Sequence, residues 1–182
     1  MPATPERWDD LATLMGGDGE LGCYCQYWRL SSGDFSRTRH REGLRASLDA
    51  DLAPGLLAYL DGEIAGWCSV GPRRDYQRLV RSRTIPVVDD QPVWSIVCFK
   101  VRVGYRRRGV ARALLAGAID YARDRGAPAL EAYPIDAGGQ RLDVGFAYVG
   151  TASMFDKAGF QRIVESDARS ASRPRILMRL PL

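Results

Sequence analysis

Apolar residues recur at helical spacing in two long parts of this chain. Between residues 109 and 125 one apolar face is formed by residues three or four apart, namely Val110, Leu114, Ala118 and Tyr121. This period predicts an amphipathic helix, and Gly126 and Pro128 are typical of the residues that end one. Near the N-terminus a second stripe consists of Trp8, Leu11, Ala12 and Met15. It follows Thr4 and Pro5, which suit an N-cap and a first helical position.

Weaker patterns indicate two further helices. Leu44 and Leu48 lie four residues apart and predict a helix near residues 37–50. A short helix is predicted at residues 151–158, just before the pair Gly159-Phe160.

Short apolar runs predict six strands. Residues 55–60 and 63–70 flank Asp61-Gly62, a dipeptide typical of a hairpin turn, so these runs are predicted to pair. The other four strands are predicted at residues 93–101, 129–134, 160–165 and 174–180. Interleaved with the helices, they indicate an α/β (α+β) fold with a mixed, mostly antiparallel sheet and helices on both faces.

Length and composition indicate one domain spanning residues 1–182. The chain has no apolar run of about 18 residues and no signal-peptide pattern, so we expect a cytoplasmic protein without a membrane partner. Four cysteines are expected to be buried, reduced thiols rather than disulfides: Cys23, Cys25, Cys68 and Cys98. His40 is the only histidine, so no metal is expected.

The segment from Trp94 to Leu115, WSIVCFKVRVGYRRRGVARALL, combines a strand, a turn and the start of a helix. The apolar run from Ile96 to Val101 predicts the strand, and the helical pattern begins at Gly109. The backbone N–H groups of residues 106–111 then lie at a helix N-terminus, where free donors and the helix dipole favour an anion. Because glycine lets the backbone approach a ligand closely, this order predicts an anion-binding loop.

This segment resembles the acetyl-CoA loop of the GNAT N-acetyltransferases. RRRGVA at residues 106–111 is similar to the family's (Gln/Arg)-x-x-Gly-x-(Gly/Ala), and residues 101–105 occupy the place of its Val-x-Pro-x-Tyr. Downstream, SMFDKAGF at residues 153–160 resembles the family's Leu-Tyr-x-x-x-Gly-Phe segment. The resemblance implies a GNAT-like fold whose first strand is short or absent, because only three residues precede Thr4.

The resemblance also implies where acetyl-CoA would bind. In the family the pantetheine pairs with the edge of a bulged strand, which here implies main-chain contacts from Phe99, Val101 and Val103. The loop and its surroundings would supply the remaining cofactor contacts, from Arg106, Arg107, Arg108, Gly109, Val110, Ala111, Arg112 and Phe155. A backbone N–H near residues 99–101 would stabilise the developing oxyanion. The alternative is that residues 96–101 form a buried central strand.

The basic residues form two arginine clusters. The net charge is +4, and of the 26 basic residues only Lys100 and Lys157 are lysines, a bias that indicates a GC-rich, bacterial genome. The first cluster consists of Arg102, Arg106, Arg107, Arg108 and Arg112, and the phosphates of CoA explain it best. The second consists of Arg73, Arg74, Arg78, Arg81 and Arg83, and we expect it to lie in a solvated loop.

One departure from the family concerns the general acid. Phe155 stands where relatives have a tyrosine that protonates the CoA thiolate, so either another group or solvent supplies this proton. Alternation in LEAYP puts Glu131 and Tyr133 on one strand face, and they are the candidate base and acid, whereas Leu130 and Ala132 face the core. The alternative is that Glu131 pairs with an arginine and Tyr133 packs.

Two other groups of residues are candidates for a functional role. His40 lies in the polar segment RTRHREG and is expected to be an exposed surface histidine rather than a catalytic one. Tyr24, Tyr27 and Trp28 belong to CYCQYW and either line an acceptor pocket or pack in the core.

The predicted function is acetyl transfer from acetyl-CoA to a small-molecule amine or a peptide acceptor, by direct transfer in a ternary complex. A non-catalytic, regulatory acyl-CoA-binding module is the alternative that the missing tyrosine favours. A nucleic-acid partner for the arginine clusters is not expected, and strong salt-dependent DNA binding would indicate otherwise. The identity of the acceptor, the preferred acyl chain and the formation of a homodimer are left open.

Overall fold

The computed structural model describes residues 1–16, 22–35, 39–138, 147–170 and 172–182. Its strands are β1 (Gly55–Leu60), β2 (Glu63–Pro72), β3 (Trp94–Val101), β4 (Ala129–Ala132), β5 (Gln161–Ser170) and β6 (Arg173–Pro181). Its α-helices are α1 (Trp8–Met15), α2 (Gln26–Arg29), α3 (Ser32–Phe35), α4 (His40–Ala46), α5 (Gln77–Val80), α6 (Val110–Asp124) and α7 (Ala152–Asp156). Short 3-10 turns lie at Pro5–Arg7, Ser47–Asp49, Arg73–Asp75 and Ala147–Val149.

The strands form a six-stranded sheet in the order β1-β2-β3-β4-β6-β5. β3 and β4 are parallel, whereas the other neighbours are antiparallel. The chain crosses from β3 to β4 through α6, because parallel neighbours need a long connection. The predicted class, a mixed and mostly antiparallel sheet with helices on both faces, is confirmed.

The N-terminal residues pair with the outer edge of β1. Pro2 forms an isolated antiparallel bridge with Leu56, and the Ala3 N–H donates to the Gly55 carbonyl at 3.0 Å. The strand that we expected to be short or absent is thus a single bridge.

Helix α6 covers one face of the sheet. The buried stripe of the helix is the predicted one, and it packs in one cluster with residues of five strands, including Leu56, Val70, Ile96, Leu130 and Met178. The helix can approach β2 closely because Gly66 lies beneath it, where a Cβ atom would be 2.7 Å from Val110 Cγ1. Leu130 and Ala132 face this cluster, as expected.

The opposite face carries two smaller clusters. α1 and α4 cover β1 and β2, and their cluster includes Trp8, Leu11, Leu44, Leu57 and Trp67. α2 and α5 cover the centre of the sheet, where the buried residues are Trp28, Tyr76, Leu79, Ile85, Val97, Tyr133 and Leu177. The active-site candidates on this face therefore lie between the sheet and short helices.

The segment between β2 and β3 is only partly the solvated loop that we expected, since Arg74, Arg81 and Arg83 are exposed but other residues of the segment are buried. It contains α5, and Tyr76, Leu79 and Ile85 are buried. The arginines of the segment also differ in exposure, since the Arg73 side chain is 13% exposed and that of Arg74 is 79% exposed. Apolar residues spaced among the charges hold this segment on the sheet.

Two predicted element boundaries differ from the structure. The α-helical part of the segment predicted at residues 37–50 is α4, which passes into a 3-10 turn at Ser47, while residues 37 and 38 lie outside the described ranges. β5 continues beyond residue 165, because its pairing with β6 extends to Ser170 opposite Arg173. The strand is longer than predicted because backbone pairing with β6 holds its final residues in a strand, although their sequence is polar and does not alternate.

All four cysteines are free thiols. Cys25 and Cys68 are buried, as expected, whereas Cys23 is exposed and Cys98 is half-buried. Burial raises the pKa of the Cys68 thiol well above its ordinary value, which keeps it protonated. No helix within the described ranges has the length and apolar character needed to cross a membrane.

Candidate functional site

Strand β3 carries a bulge near its centre. Ser69 pairs with Cys98 across β2 and β3, but the next residue, Val70, pairs with Ile96. Val97 is therefore an extra residue on β3. A bulge bends and twists its strand, which turns the second half of β3 away from the line of the first half.

β3 and β4 separate just beyond this bulge. In the described part of the chain they pair at three positions, where Trp94, Ser95 and Ile96 lie opposite Leu130, Glu131 and Ala132. β4 then ends, whereas β3 continues to Val101, and the 3-10 turn Ala147–Val149 lies beside β3. A strand edge without a neighbour offers N–H and C=O groups to an extended ligand.

A tight turn connects β3 to α6. The Tyr105 N–H donates to the Arg102 carbonyl at 3.0 Å, and Arg107 and Gly109 have positive φ values of 62° and 84°. The Ala113 N–H donates to the Gly109 carbonyl, so the amides just before Ala113 have no acceptor inside the helix. These free donors surround the start of α6.

A cleft of about 300 Å³ lies at this helix N-terminus. It is lined by Val101, Tyr105, Arg106, Arg107, Gly109, Val110, Ala111 and Arg112. The one described atom within 4 Å of a Cβ built on Gly109 is Arg112 Nη2, at 3.8 Å, so the space beside this glycine is open. Free amides, the positive end of the helix and guanidinium groups together suit a phosphorylated ligand.

Four residues of the predicted cofactor set lie outside the lining of this cleft, namely Phe99, Val103, Arg108 and Phe155. Arg108 Nη2 donates to Asp61 Oδ2 at 2.8 Å, in the turn between β1 and β2. Val103 is 77% exposed, whereas Phe99 is buried in the cluster beneath α6. Any contact from Phe99 or Val103 to a ligand along β3 would use the main chain.

Phe155 lies in α7 and is fully buried. Its ring centroid is 6.2 Å from that of Phe99 and 5.0 Å from that of Phe160. Gly150 lies against the same ring, since a Cβ atom there would be 2.7 Å from Phe155 Cε2. This side chain packs behind β3 and has no proton to donate.

Glu131 lies on the face of β4 away from α6 and is 1% exposed. Arg179 donates to Glu131 Oε1 from Nη2 at 2.6 Å and from Nε at 3.2 Å, and Arg73 Nε is 3.6 Å from Glu131 Oε2. The carboxylate borders a cavity of about 240 Å³ together with both arginines and Asp89. The structure thus contains the arginine pairing that was the alternative interpretation of Glu131.

Tyr133 lies at the point where β4 ends and links two polar side chains. Its hydroxyl donates to Glu131 Oε2 at 2.8 Å and is 3.0 Å from Ser95 Oγ. Burial, and then the negative charge of Glu131, raises the pKa of Tyr133 well above its ordinary value. The tyrosine therefore remains protonated at neutral pH, and the raised pKa makes it a weaker acid than an ordinary tyrosine. Sequence alternation predicted that the two side chains share a face, and this is confirmed.

The other candidates occupy different places on the same side of the sheet. Tyr24 packs in the core with α1, so it is not a pocket residue. Tyr27 and Trp28 line a cavity of about 650 Å³ between α2, α5 and β5–β6. His40 is half-buried rather than exposed, because its Nδ1 and Nε2 lie 3.1 and 2.7 Å from the carbonyls of Gly22 and Phe35.

Two further residues of these cavities, Arg175 and Arg179, could not be identified from the sequence. Arg179 meets Glu131 in the register of β4 with β6, and Arg175 borders the larger cavity. Both lie in the final predicted strand, where single arginines between apolar residues gave no signal beyond alternation.

The part of the chain that forms the bulged strand, the glycine turn and α6 also identifies the protein family. Residues 23–141 match the sequence model of the acetyltransferase (GNAT) family, a range that includes the bulged β3, the glycine turn and α6. The chain belongs to the GNAT family. The predicted family is thereby confirmed, and with it the coarse function of an acyltransferase.

Solved structures of GNAT acetyltransferases share the fold. A ribosomal-protein-alanine N-acetyltransferase from Brucella melitensis is 19% identical with a TM-score of 0.53, over 100% of this chain and 98% of the other. The PaiA N-acetyltransferase from Thermoplasma acidophilum, in complex with coenzyme A, is 13% identical with a TM-score of 0.53, over 100% and 97%. The NatC complex bound to Gag peptide and CoA is 13% identical with a TM-score of 0.58, over 100% and 96%.

These identities show the fold and not the substrate. Comparison of the sequence with characterised proteins gives no match. Within the described ranges, no group of three or more His, Cys, Asp or Glu side chains is arranged to hold a metal ion.

Proposed function

We propose that this protein transfers an acetyl group from acetyl-CoA to a primary amine, by direct attack of the amine in a ternary complex. The observation that carries the proposal is the separation of β3 from β4 directly before the glycine turn at the start of α6. Among the described residues, β3 has no strand partner on its β4 side beyond Ile96, and the anion-binding turn follows in the same run of chain. This arrangement suits a ligand with an amide-containing arm and a phosphorylated end.

In this proposal the phosphates bind at the cleft beside Gly109, and the pantetheine arm follows the edge of β3. The amides of residues 106–112, with Arg106, Arg107 and Arg112, would bind the phosphates. The main chain from Val97 to Val103 would pair with the arm. Phe155 would pack behind the arm through Phe99.

The chemistry requires a neutral amine, a stabilised oxyanion and a proton for the leaving thiolate. A backbone N–H between Phe99 and Val101 would stabilise the oxyanion as the amine attacks the thioester carbonyl. Glu131 would accept the amine proton, directly or through water, and Tyr133 or solvent would protonate the thiolate. The hydrogen bond from Tyr133 to Glu131 supports a linked role for the two residues.

A bacterial cytoplasm is the setting that we propose for this activity. Free thiols and the arginine-rich composition support it. The acceptor is proposed to be a small amine or a peptide.

A regulatory module that binds acyl-CoA without turnover is the second candidate. It is favoured by Phe155, which cannot act as the acid, and by the pairing of Glu131 with two arginines. Protonating this carboxylate would leave the mostly buried guanidinium of Arg73 without its counter-charge, whereas Arg179 would keep Asp89.

Thiol release from acetyl-CoA with a panel of primary amines distinguishes the two functions. We expect release that depends on the amine and that is lost in the Gly109→Val variant. Binding of acetyl-CoA by calorimetry, without release for any amine, would assign the regulatory function instead. Absence of acetyl-CoA binding would reject both.

A further inference from the structure

The larger cavity on the acceptor side of the sheet has the character of a binding site for an anion. Its volume is about 650 Å³, and its charged lining residues are Arg78, Arg81, Arg169, Arg175 and Asp167. Four of these five are positive. Tyr27 and Trp28 add aromatic surface.

Arg175 is the most deeply buried of these arginines, at 6% exposure. Its guanidinium carbon lies 5.3 Å from the ring centroid of Trp28 and 5.7 Å from that of Tyr148. Its Nη2 donates to the Tyr148 hydroxyl at 2.9 Å. These contacts hold the guanidinium in one orientation before any ligand arrives.

Two buried donors at this cavity have no acceptor. Arg175 Nη1 and Trp28 Nε1 are both inaccessible to solvent and have no hydrogen-bond partner among the residues that the structure describes. Arg175 also forms no ion pair with any described carboxylate, unlike Arg179. A buried guanidinium and a buried indole N–H are costly to leave unpaired, and both bind an oxygen atom that carries negative charge.

The cavity adjoins the proposed reaction centre. Trp28 and Ile85, which line it, pack in the same cluster as Val97 of the β3 bulge and Tyr133. A molecule in this cavity therefore lies on the sheet face toward which Glu131 and Tyr133 point.

We propose that Arg175 and Trp28 form an oxyanion subsite, and that the acceptor amine carries a carboxylate or phosphate group that binds there. The identification of the bound molecule as the acceptor rests on the proposed acetyl transfer. The binding of an anion at the subsite does not. Both donors are covered in this arrangement, so binding requires a small shift of the side chains around them, after which an anionic oxygen would satisfy both. The anionic group then directs the amine of the same molecule toward the bulge of β3.

Binding can be tested without turnover. We would follow the four indole N–H resonances of the ¹⁵N-labelled protein during titration with acetate and with inorganic phosphate, and assign Trp28 through Trp28→Phe. We expect the Trp28 resonance to shift saturably, and the shift to be lost in Arg175→Gln and partly kept in Arg175→Lys. The matched control is Arg123→Gln, an exposed arginine of α6 on the other face. No shift at Trp28, or an equal shift in folded Arg175→Gln and Arg175→Lys, would overturn the subsite.

Matched acceptors then test its use in catalysis. We would compare kcat/KM for 4-aminobutyrate with that for 4-aminobutyramide, and for O-phosphoethanolamine with that for ethanolamine. We expect at least a tenfold preference for the anionic member of one pair, which identifies the group as carboxylate or phosphate, and loss of that preference in Arg175→Gln through a raised KM. Equal use of charged and neutral members would overturn the role in acceptor choice. Anion binding at Trp28 without turnover of any amine would reject acetyl transfer and leave the subsite standing.

Discussion

Glu131 and Arg179 lie directly opposite each other on β4 and β6, and their side chains form a 2.6 Å ion pair. Arg179 also binds Asp89 in the connection between β2 and β3, so one guanidinium joins a buried carboxylate to an exposed one. The network fixes the position of Glu131 beside Tyr133. It makes Glu131 a structural residue whether or not it is also the base.

Glu131→Gln is therefore expected to have two effects. The amide removes both the proton acceptor and a counter-charge, so kcat should fall at least tenfold and stability by about 3 kcal/mol, while acetyl-CoA affinity stays nearly constant. The control is Asp89→Asn, which weakens the same network from outside and should leave kcat unchanged. Steady-state kinetics and urea unfolding of both variants give the comparison. Full turnover of Glu131→Gln across pH would remove Glu131 from the mechanism.

Tyr133→Phe separates the tyrosine from solvent as the source of the thiolate proton. The variant loses one buried hydroxyl, so we expect a stability loss of about 1 kcal/mol. If Tyr133 is the acid, kcat at saturating acceptor falls, and if solvent is the acid, it does not. Tyr76→Phe is the matched control, since it also removes a buried tyrosine hydroxyl of the same cluster.

Gly109→Val should reduce acetyl-CoA affinity by at least tenfold. The residue has a φ of 84°, which disfavours a β-branched side chain, and the added atoms would occupy the cleft at the start of α6. Calorimetry measures the affinity, and thermal unfolding measures any cost of strain. Ala116→Val adds a branched side chain to an exposed position of α6 and should bind normally. Normal binding by the folded Gly109→Val protein would contradict the placement of the phosphates.

Two arginines of the same cluster should differ in their effect on CoA affinity. Arg112 lines the cleft, whereas Arg108 is paired with Asp61. We expect Arg112→Gln to weaken CoA binding several-fold and to reduce its dependence on salt, and Arg108→Gln to change both little. If one arginine binds the 3′-phosphate, dephospho-CoA will bind more weakly than CoA. If that arginine is Arg112, this difference in affinity will be lost in Arg112→Gln. Equal losses in the two variants would mean that Arg108 leaves Asp61 to bind the ligand.

Stability should fall in alkali because of Tyr76. Burial raises the pKa of this tyrosine from 10.0 to about 12. The folded-state pKa is the higher one, so the stabilising contribution is complete below pH 10 and is lost as the pH rises toward 12. We expect the free energy of unfolding to fall by about 2 kcal/mol from this residue over that interval, and Tyr76→Phe to reduce the decline.

Local sequence signals predicted those parts of the fold that depend on neighbouring residues. The period of Val110, Leu114 and Ala118 gave α6 and its buried face, and Asp61-Gly62 gave the β1–β2 hairpin. Alternation also gave the shared face of Glu131 and Tyr133. In each case the information lies within a few residues of chain.

What could not be predicted depends on residues far apart in sequence. Arg179 reaches Glu131 through the order of the strands, and Arg175 contacts Trp28 because α2 packs on its face of the sheet. Neither partner is visible from the local pattern of RPRILMRL. The same holds for the burial of Tyr76 and Leu79, which depends on the sheet beneath them and not on the arginines beside them.

The short parallel ladder between β3 and β4 has a mechanical consequence. Three residue pairs join the half-sheet β1-β2-β3 to the half-sheet β4-β6-β5 in the described part of the chain. Amide hydrogens along that seam are expected to exchange with solvent sooner than those inside either half. A ligand that pairs with the edge of β3 would join the two halves. We therefore expect the whole sheet to become more rigid when the ligand occupies the cleft.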